Sequence, residues 1–171
     1  MFLNGKIKRW IKIKILSLDQ ATNKSGIAVH CDGKLVLHDL IDLGKQKVNI
    51  SERVFVMADR IYGYIKKQKP DFVVIEDVAM QTNAATLVQL ARLQGAIIGY
   101  CRVKKVSYDI LKPSSWRKIL GFKQGQGIKR PELKKQAVEY VKDIYNLDLS
   151  EDVCEAVCIG DAFLKLQSNE M

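Results

Sequence analysis

The sequence predicts an α/β domain built on a mixed five-stranded sheet flanked by helices. Short apolar runs rich in β-branched residues alternate with longer segments of helical periodicity, the pattern of a sheet covered by helices. Asp32-Gly33 sits between two apolar runs and predicts a tight hairpin, so one part of the sheet is antiparallel. Two later strands are each preceded by a helix-length segment, which predicts parallel pairing through crossovers. With 171 residues, 47% hydrophobic and 27% charged, the chain reads as one domain over 1–171 with its own core.

Residues 1–12 open the chain as a basic N-terminal arm. Lys6, Lys8, Arg9, Lys12 and Lys14 suit either a grip on a polyanion or the lysine protection of an edge strand. The first strand is read over 13–19 and ends on Asp19. "GIAVHC" and "KLVLHDLIDL" follow as the two arms of the hairpin, giving three consecutive antiparallel strands. "SERVFVMADRIYGYIKKQ" repeats apolar residues at helical spacing behind Ser51 as N-cap, and Pro70-Asp71 stops it. "FVVIE" is a short buried strand ending on a second acid, Glu76.

"NAATLVQLARLQGAIIGYC" is a helix capped by Asn83, with small residues that permit close packing. Its apolar and small positions suit burial on the sheet and a seam with a second copy. "KVSYDIL" is the fifth strand, and "PSSWRKIL" a short helix opening with Pro113. "GFKQGQGIKRPE" reads as a mobile basic loop, and helices over 131–145 and 151–166 close the chain. Strands one, four and five are expected to be parallel. Asp19 and Glu76 then share the carboxyl edge of the sheet, where ligands of such folds gather.

The net charge of +9 favours contact with a polyanion, because neutralised phosphates release counterions. Cys31, Cys101, Cys154 and Cys158 form no CxxC pair, and only two histidines accompany them. Buried thiols in a reducing cytosol are therefore expected rather than a zinc site. No apolar run is long enough to span a membrane, and the start lacks a signal peptide's apolar middle. A cytoplasmic protein is the resulting expectation.

One strand-end Asp is most simply a turn cap. Here it has company. In "SEDVCEAV", Asp152 and Glu155 project from one helical face behind Ser150 as N-cap. Taken alone, such acids are ordinary in a first turn, where the helix dipole favours them. Four carboxylates converging at one sheet edge would repel each other and take up protons unless hard divalent cations joined them.

These segments resemble the RuvC-type Holliday junction resolvases of the ribonuclease H-like superfamily. "ILSLDQATNKSGIAV" looks like their first acidic motif, "FVVIEDVAMQTNAATLVQLARLQGAI" their second, and "SEDVCEAV" their closing acidic helix. The likeness runs from about residue 13 to 165. It implies a homodimer that cuts two opposed strands of a four-way DNA junction, using magnesium or manganese. Carried over by position, Asp19, Glu76, Asp152 and Glu155 are the catalytic residues and the ligands of two Mg2+ ions, Asp19 central among them. Hydrolysis leaves 5′-phosphate and 3′-hydroxyl ends. Arg117, Lys118, Lys123, Lys129 and Arg130 are the expected DNA contacts, each balanced against a solvated surface charge.

Two departures from the family pattern stand out. Glu155 replaces the usual last Asp and is one methylene longer. The stretch after Glu76 holds Ala79 and Met80, with no aromatic wedge. Trp10 and Trp116 are expected in packing ahead of base stacking, and Gln81 near the cleavage point. A less selective flap or fork nuclease and a non-catalytic branched-DNA binder are the rivals. A kinase of the actin-like superfamily is disfavoured by the short chain.

Overall fold

The computed structural model describes residues 13–44, 48–80 and 83–169. The basic arm with Trp10, and Gln81, lie outside the described residues. Three strands come first: β1 (Lys14–Asp19), β2 (Lys24–Cys31) and β3 (Lys34–Asp42). They pair antiparallel in sequence, and Asp32 and Gly33 take positive φ of 53° and 76° in the turn, as the Asp-Gly hairpin requires. Then come α1 (Ile50–Gln68), β4 (Phe72–Glu76), α2 (Ala84–Lys104) and β5 (Ser107–Leu111). β4 pairs parallel with β1, and β5 parallel with β4, so the sheet runs β3-β2-β1-β4-β5. The chain closes with α3 (Pro113–Ile119), α4 (Arg130–Tyr145) and α5 (Glu151–Asn169).

Alternation along the strands divides the molecule into layers. Leu16, Leu18, Val73 and Ile75 point to one face, where α1 and α2 cover them with Met57, Ile61, Leu93 and Ile97. Ile15 and Val74 point to the other face, against α5 and the flanking α3 and α4. Asp19 follows Ile15 and Ser17 at the same parity, and Glu76 follows Val74. Both acids therefore end their strands on the α5 face.

Helix α5 is buried on every side from Val153 to Phe163, as a helix wedged between a sheet and an outer layer must be. Two glycines let it lie this close. A Cβ on Gly26, which pairs with Asp19 across β1 and β2, would come within 1.9 Å of the Asp152 carbonyl oxygen. A Cβ on Gly160 would sit 2.5 Å from the His30 ring, which is fully buried with its Nε2 3.0 Å from Asp161 Oδ1.

Two expectations, the Ser51 cap and the burial of all four cysteines, need correction. Helix α1 begins one residue before Ser51, with Asn49 in the N-cap position and no side-chain cap bond, so Ser51 does not cap it. The first residues of the basic loop after α3 are tied to α4: Gln136 accepts from Lys123 N–H at 2.7 Å and donates to Lys123 C=O at 3.0 Å. Phe122 also packs edge-on against Trp116 and Tyr140. Cys31 is only partly buried, whereas Cys101, Cys154 and Cys158 are buried, and all four thiols are free.

Candidate active site

The end of β1 delivers Asp19, and the close approach at Gly26 delivers the first turns of α5 beside it. One carboxylate oxygen each from Asp19, Asp152 and Glu155 lie within 4.8 Å of one another. Asp152 and Glu155 share a helical face, and the Ser150 carbonyl accepts from Cys154 N–H at 2.9 Å, as an N-cap backbone does. Glu76 joins from the end of β4. The four line one cleft of about 440 Å³, together with Arg117 and Arg130.

Two cations are built into this acid set. The Arg117 guanidinium lies 3.1 Å from Glu155 and 3.9 Å from Glu76, and it rests on the Trp116 ring at 4.8 Å. The Lys134 ammonium, from α4, bonds Asp152 at 2.9 Å and stands 3.2 Å from Glu151 and 3.8 Å from Glu155. Trp116 is fully buried, yet its indole N–H donates to Glu76 at 2.8 Å. The side-chain amides of Gln20 and Gln94 both donate to the Glu76 carbonyl at 3.2 Å, fixing the backbone beneath that acid.

The electrostatics follow from crowding in a poorly solvated place. Burial, then the charges of Glu76, Glu155 and Asp152, push the Asp19 carboxyl well above the usual carboxylate range, and Lys134 only partly offsets them. Glu76 is raised too: burial and Glu155 lift it, while the Trp116 hydrogen bond, Arg117 and Arg130 pull it back. Burial works against the charge of Lys134, but the hydrogen bond and charge of Asp152, with Glu155 and Glu151, outweigh it and raise its pKa. The cluster holds more negative charge than its own cations neutralise. Oxygen-only donors with that surplus fit a hard divalent ion such as magnesium.

The expected DNA contacts are divided by the structure. Arg117 is largely enclosed and bound to acids rather than presented at the surface. Arg130 lines the cleft. Lys118, Lys123 and Lys129 are exposed and lie outside the cleft lining. Met80, on the lip, is 87% exposed. Lys134 is the residue that sequence reasoning missed. Leu133, Ala137 and Val141 mark the inward seam of α4, and Lys134 borders it, a signal readable only once α4 is docked on α5.

With this geometry in view, the chain was compared with known proteins. Residues 15–161 match the family model described as crossover junction endodeoxyribonuclease RuvC. No curated protein sequence matches. Among solved structures, the fold is similar to Thermus thermophilus RuvC in complex with a Holliday junction substrate, with a TM-score of 0.72 at 13% identity, covering 92% of this chain and 96% of that one. It is also similar to the fowlpox virus resolvase solved with Holliday junction DNA, with a TM-score of 0.62 at 13% identity, covering 91% and 99%. The yeast mitochondrial Holliday junction resolvase Ydc2 gives 0.61 at 10% identity, covering 93% and 82%. At these identities the likenesses establish the fold.

Proposed function

Because the chain belongs to the RuvC family of crossover junction endodeoxyribonucleases, we propose that Asp19, Glu76, Asp152 and Glu155 are its catalytic carboxylates and hold two Mg2+ ions, manganese being able to take their place. The observation that carries this reading is the meeting of Asp19, Asp152 and Glu155 within 4.8 Å, from segments more than a hundred residues apart in sequence. When bound, paired divalent ions supply an activated water and charge stabilisation at the leaving oxygen of a phosphodiester. The protein's part is to fix the carboxylates. Trp116 orients Glu76 through its indole N–H, and Arg117 braces Glu155 and Glu76 from the stacked face of Trp116. On this reading Arg130, which lines the cleft, meets an oxygen of the scissile phosphate, while Arg117 and Lys134 hold the carboxylates.

The substrate on this reading is branched DNA, a four-way junction above all, cut by a homodimer at two opposed strands to leave 5′-phosphate and 3′-hydroxyl ends. Helix α2 suits the dimer seam. Its inner face is buried through Leu93, Ile97 and Cys101, while Val88, Ala91, Gly95, Gly99 and Val103 remain exposed along the outer face. Both roles expected of this helix thus have a face to serve them. Among the described residues no helix is long and apolar enough to cross a membrane, and we place the protein with its DNA, in a nucleoid or on a viral genome.

Met80 favours a second reading. An exposed, flexible thioether on the cleft lip grips bases less rigidly than an aromatic ring, which suits a nuclease that also accepts flaps or forks. An end-labelled four-way junction, incubated with and without magnesium, tests the choice. Paired, symmetric nicks that require the ion support the resolvase. Single nicks, with equal activity on a three-way fork, support the broader nuclease. Junction binding without any cutting overturns both.

A further inference from the structure

Helices α1 and α2 both run against the direction of the parallel strands, so their C-termini meet at the edge of the sheet opposite the acids. Six cations crowd that pole: Lys66, Lys67 and Lys69 from the end of α1, and Arg102, Lys104 and Lys105 from the end of α2. All six are exposed. Among the described residues none of them forms an ion pair. A trough of about 310 Å³ runs between the helix ends, with Lys66 and Lys69 on one wall and Lys104 on the other. Its floor is formed by Pro70, Val106 and Tyr100, the last stacked on Tyr62 at 4.1 Å.

Basic residues in a last helical turn often do no more than offset the helix dipole. Part of that need is met here without the six side chains. Lys69 and Lys105 adopt the left-handed conformation and their backbone N–H groups close both helices, onto Ile65 in α1 and onto Arg102 and Cys101 in α2. The ammonium of Lys14 additionally bonds the Gln68 carbonyl at 3.1 Å. The six side chains therefore pair with no carboxylate among the described residues, and the Lys104 ammonium stands 5.7 Å from the centre of the Tyr100 ring on the trough floor. At the catalytic end Arg117 and Lys134 are committed to carboxylates, while Arg130 lines the cleft.

We propose that this pole is a second DNA-binding surface, which takes the phosphate backbone of a duplex segment other than the one in the cleft. Strand β4 alone separates the two edges by roughly 13 Å at about 3.3 Å per residue, and the helix ends extend further. The acids and the trough thus lie at opposite ends of the parallel strands. The partner is recognised by charge, without base contacts, so binding is sequence-independent and steeply salt-dependent. The inference stands apart from cleavage.

The test is a fluorescence titration of the full chain with a labelled linear duplex in metal-free buffer at several salt concentrations. Replacing Lys66, Lys69 and Lys104 together by Gln should lower affinity and reduce the slope of log K against log salt by about 2.7, at roughly 0.9 per phosphate contact. Replacing the same three by Arg should preserve both, which separates charge from damage to the fold. Wild-type protein saturated with an unlabelled short-armed four-way junction should still capture the labelled duplex, and the Gln variant should fail to do so. An unchanged slope in the Gln variant, or exclusion of the duplex by bound junction, overturns the proposal. Since no metal or cutting enters these measurements, their failure leaves the catalytic reading untouched.

Discussion

Trp116 and Glu155 show how single side chains shape this site. Trp116 is fully buried and donates to Glu76. Trp116→Phe keeps most of the packing but removes the donor, so Glu76 loses the bond that holds its orientation. We expect a loss of about 10–100-fold in magnesium affinity or cleavage, the usual cost of removing such an outer partner; isothermal titration alongside a junction assay measures both. Glu155 bonds Arg117 at 3.1 Å and is almost fully enclosed. Glu155→Gln should abolish cutting, while Glu155→Asp, shorter by one methylene, should retain part of it. Equal, near-normal rates from both would make Glu155 a bystander. Asp19 and Glu76 were legible because each ends a strand, and Asp152 and Glu155 because their spacing puts them on one face near the start of a helix. Arg117 was not, since an Arg beside a basic loop looks like a surface contact until Trp116 and two carboxylates enclose it. Lys134 was hidden for the same reason: its partners lie on another helix.

The elements are held together by close approach as much as by apolar burial. Gly26 allows the backbone of α5 to touch β2 beside Asp19, and that contact brings Asp152 into the cluster. Gly26→Ala puts a methyl group where the Asp152 carbonyl stands. The helix must shift, at a cost of roughly 1–3 kcal/mol typical of overpacking, and the acid set should open. Calorimetry should record a lower Tm and the junction assay a large loss of cutting; a variant with normal Tm and rate would show that the approach is unimportant. Strand positions and parity were readable from the sequence. The same two-residue period that buries Leu16 and Leu18 on one face sends Asp19 to the other with Ile15, and likewise Glu76 with Val74. The role of Gly26 was not readable, because a glycine in a strand signals close approach without saying by what. The start of α1 at Ile50 was missed since Ser51 is the better capping residue by type, yet Asn49 occupies the cap position without a side-chain bond.

Among the described residues the two ends of the sheet differ in charge: one gathers carboxylates braced by Arg117 and Lys134, the other lysines and an arginine with no carboxylate partner. The raised pKa values of Asp19 and Glu76 make the metal-free fold sensitive to pH. Below the ordinary carboxylate range both groups are protonated whether the chain is folded or not, and they cost nothing. As pH rises above that range the unfolded chain releases these protons before the folded one does. The folded state then binds more protons, and stability falls until the raised values are passed. Scanning calorimetry in chelator should show Tm declining through this window, and magnesium should raise Tm more at pH 8 than at pH 5. A magnesium effect independent of pH would contradict the crowding of the acids. The experiment closest to the heart of the mechanism is Asp19→Asn, which removes one charge from the cluster with almost no change of shape. Gel-shift and end-labelled cleavage assays on the same four-way junction should find binding near that of wild type and no incision in magnesium or manganese. Near-normal incision by that variant would contradict the assignment of these carboxylates as the catalytic centre.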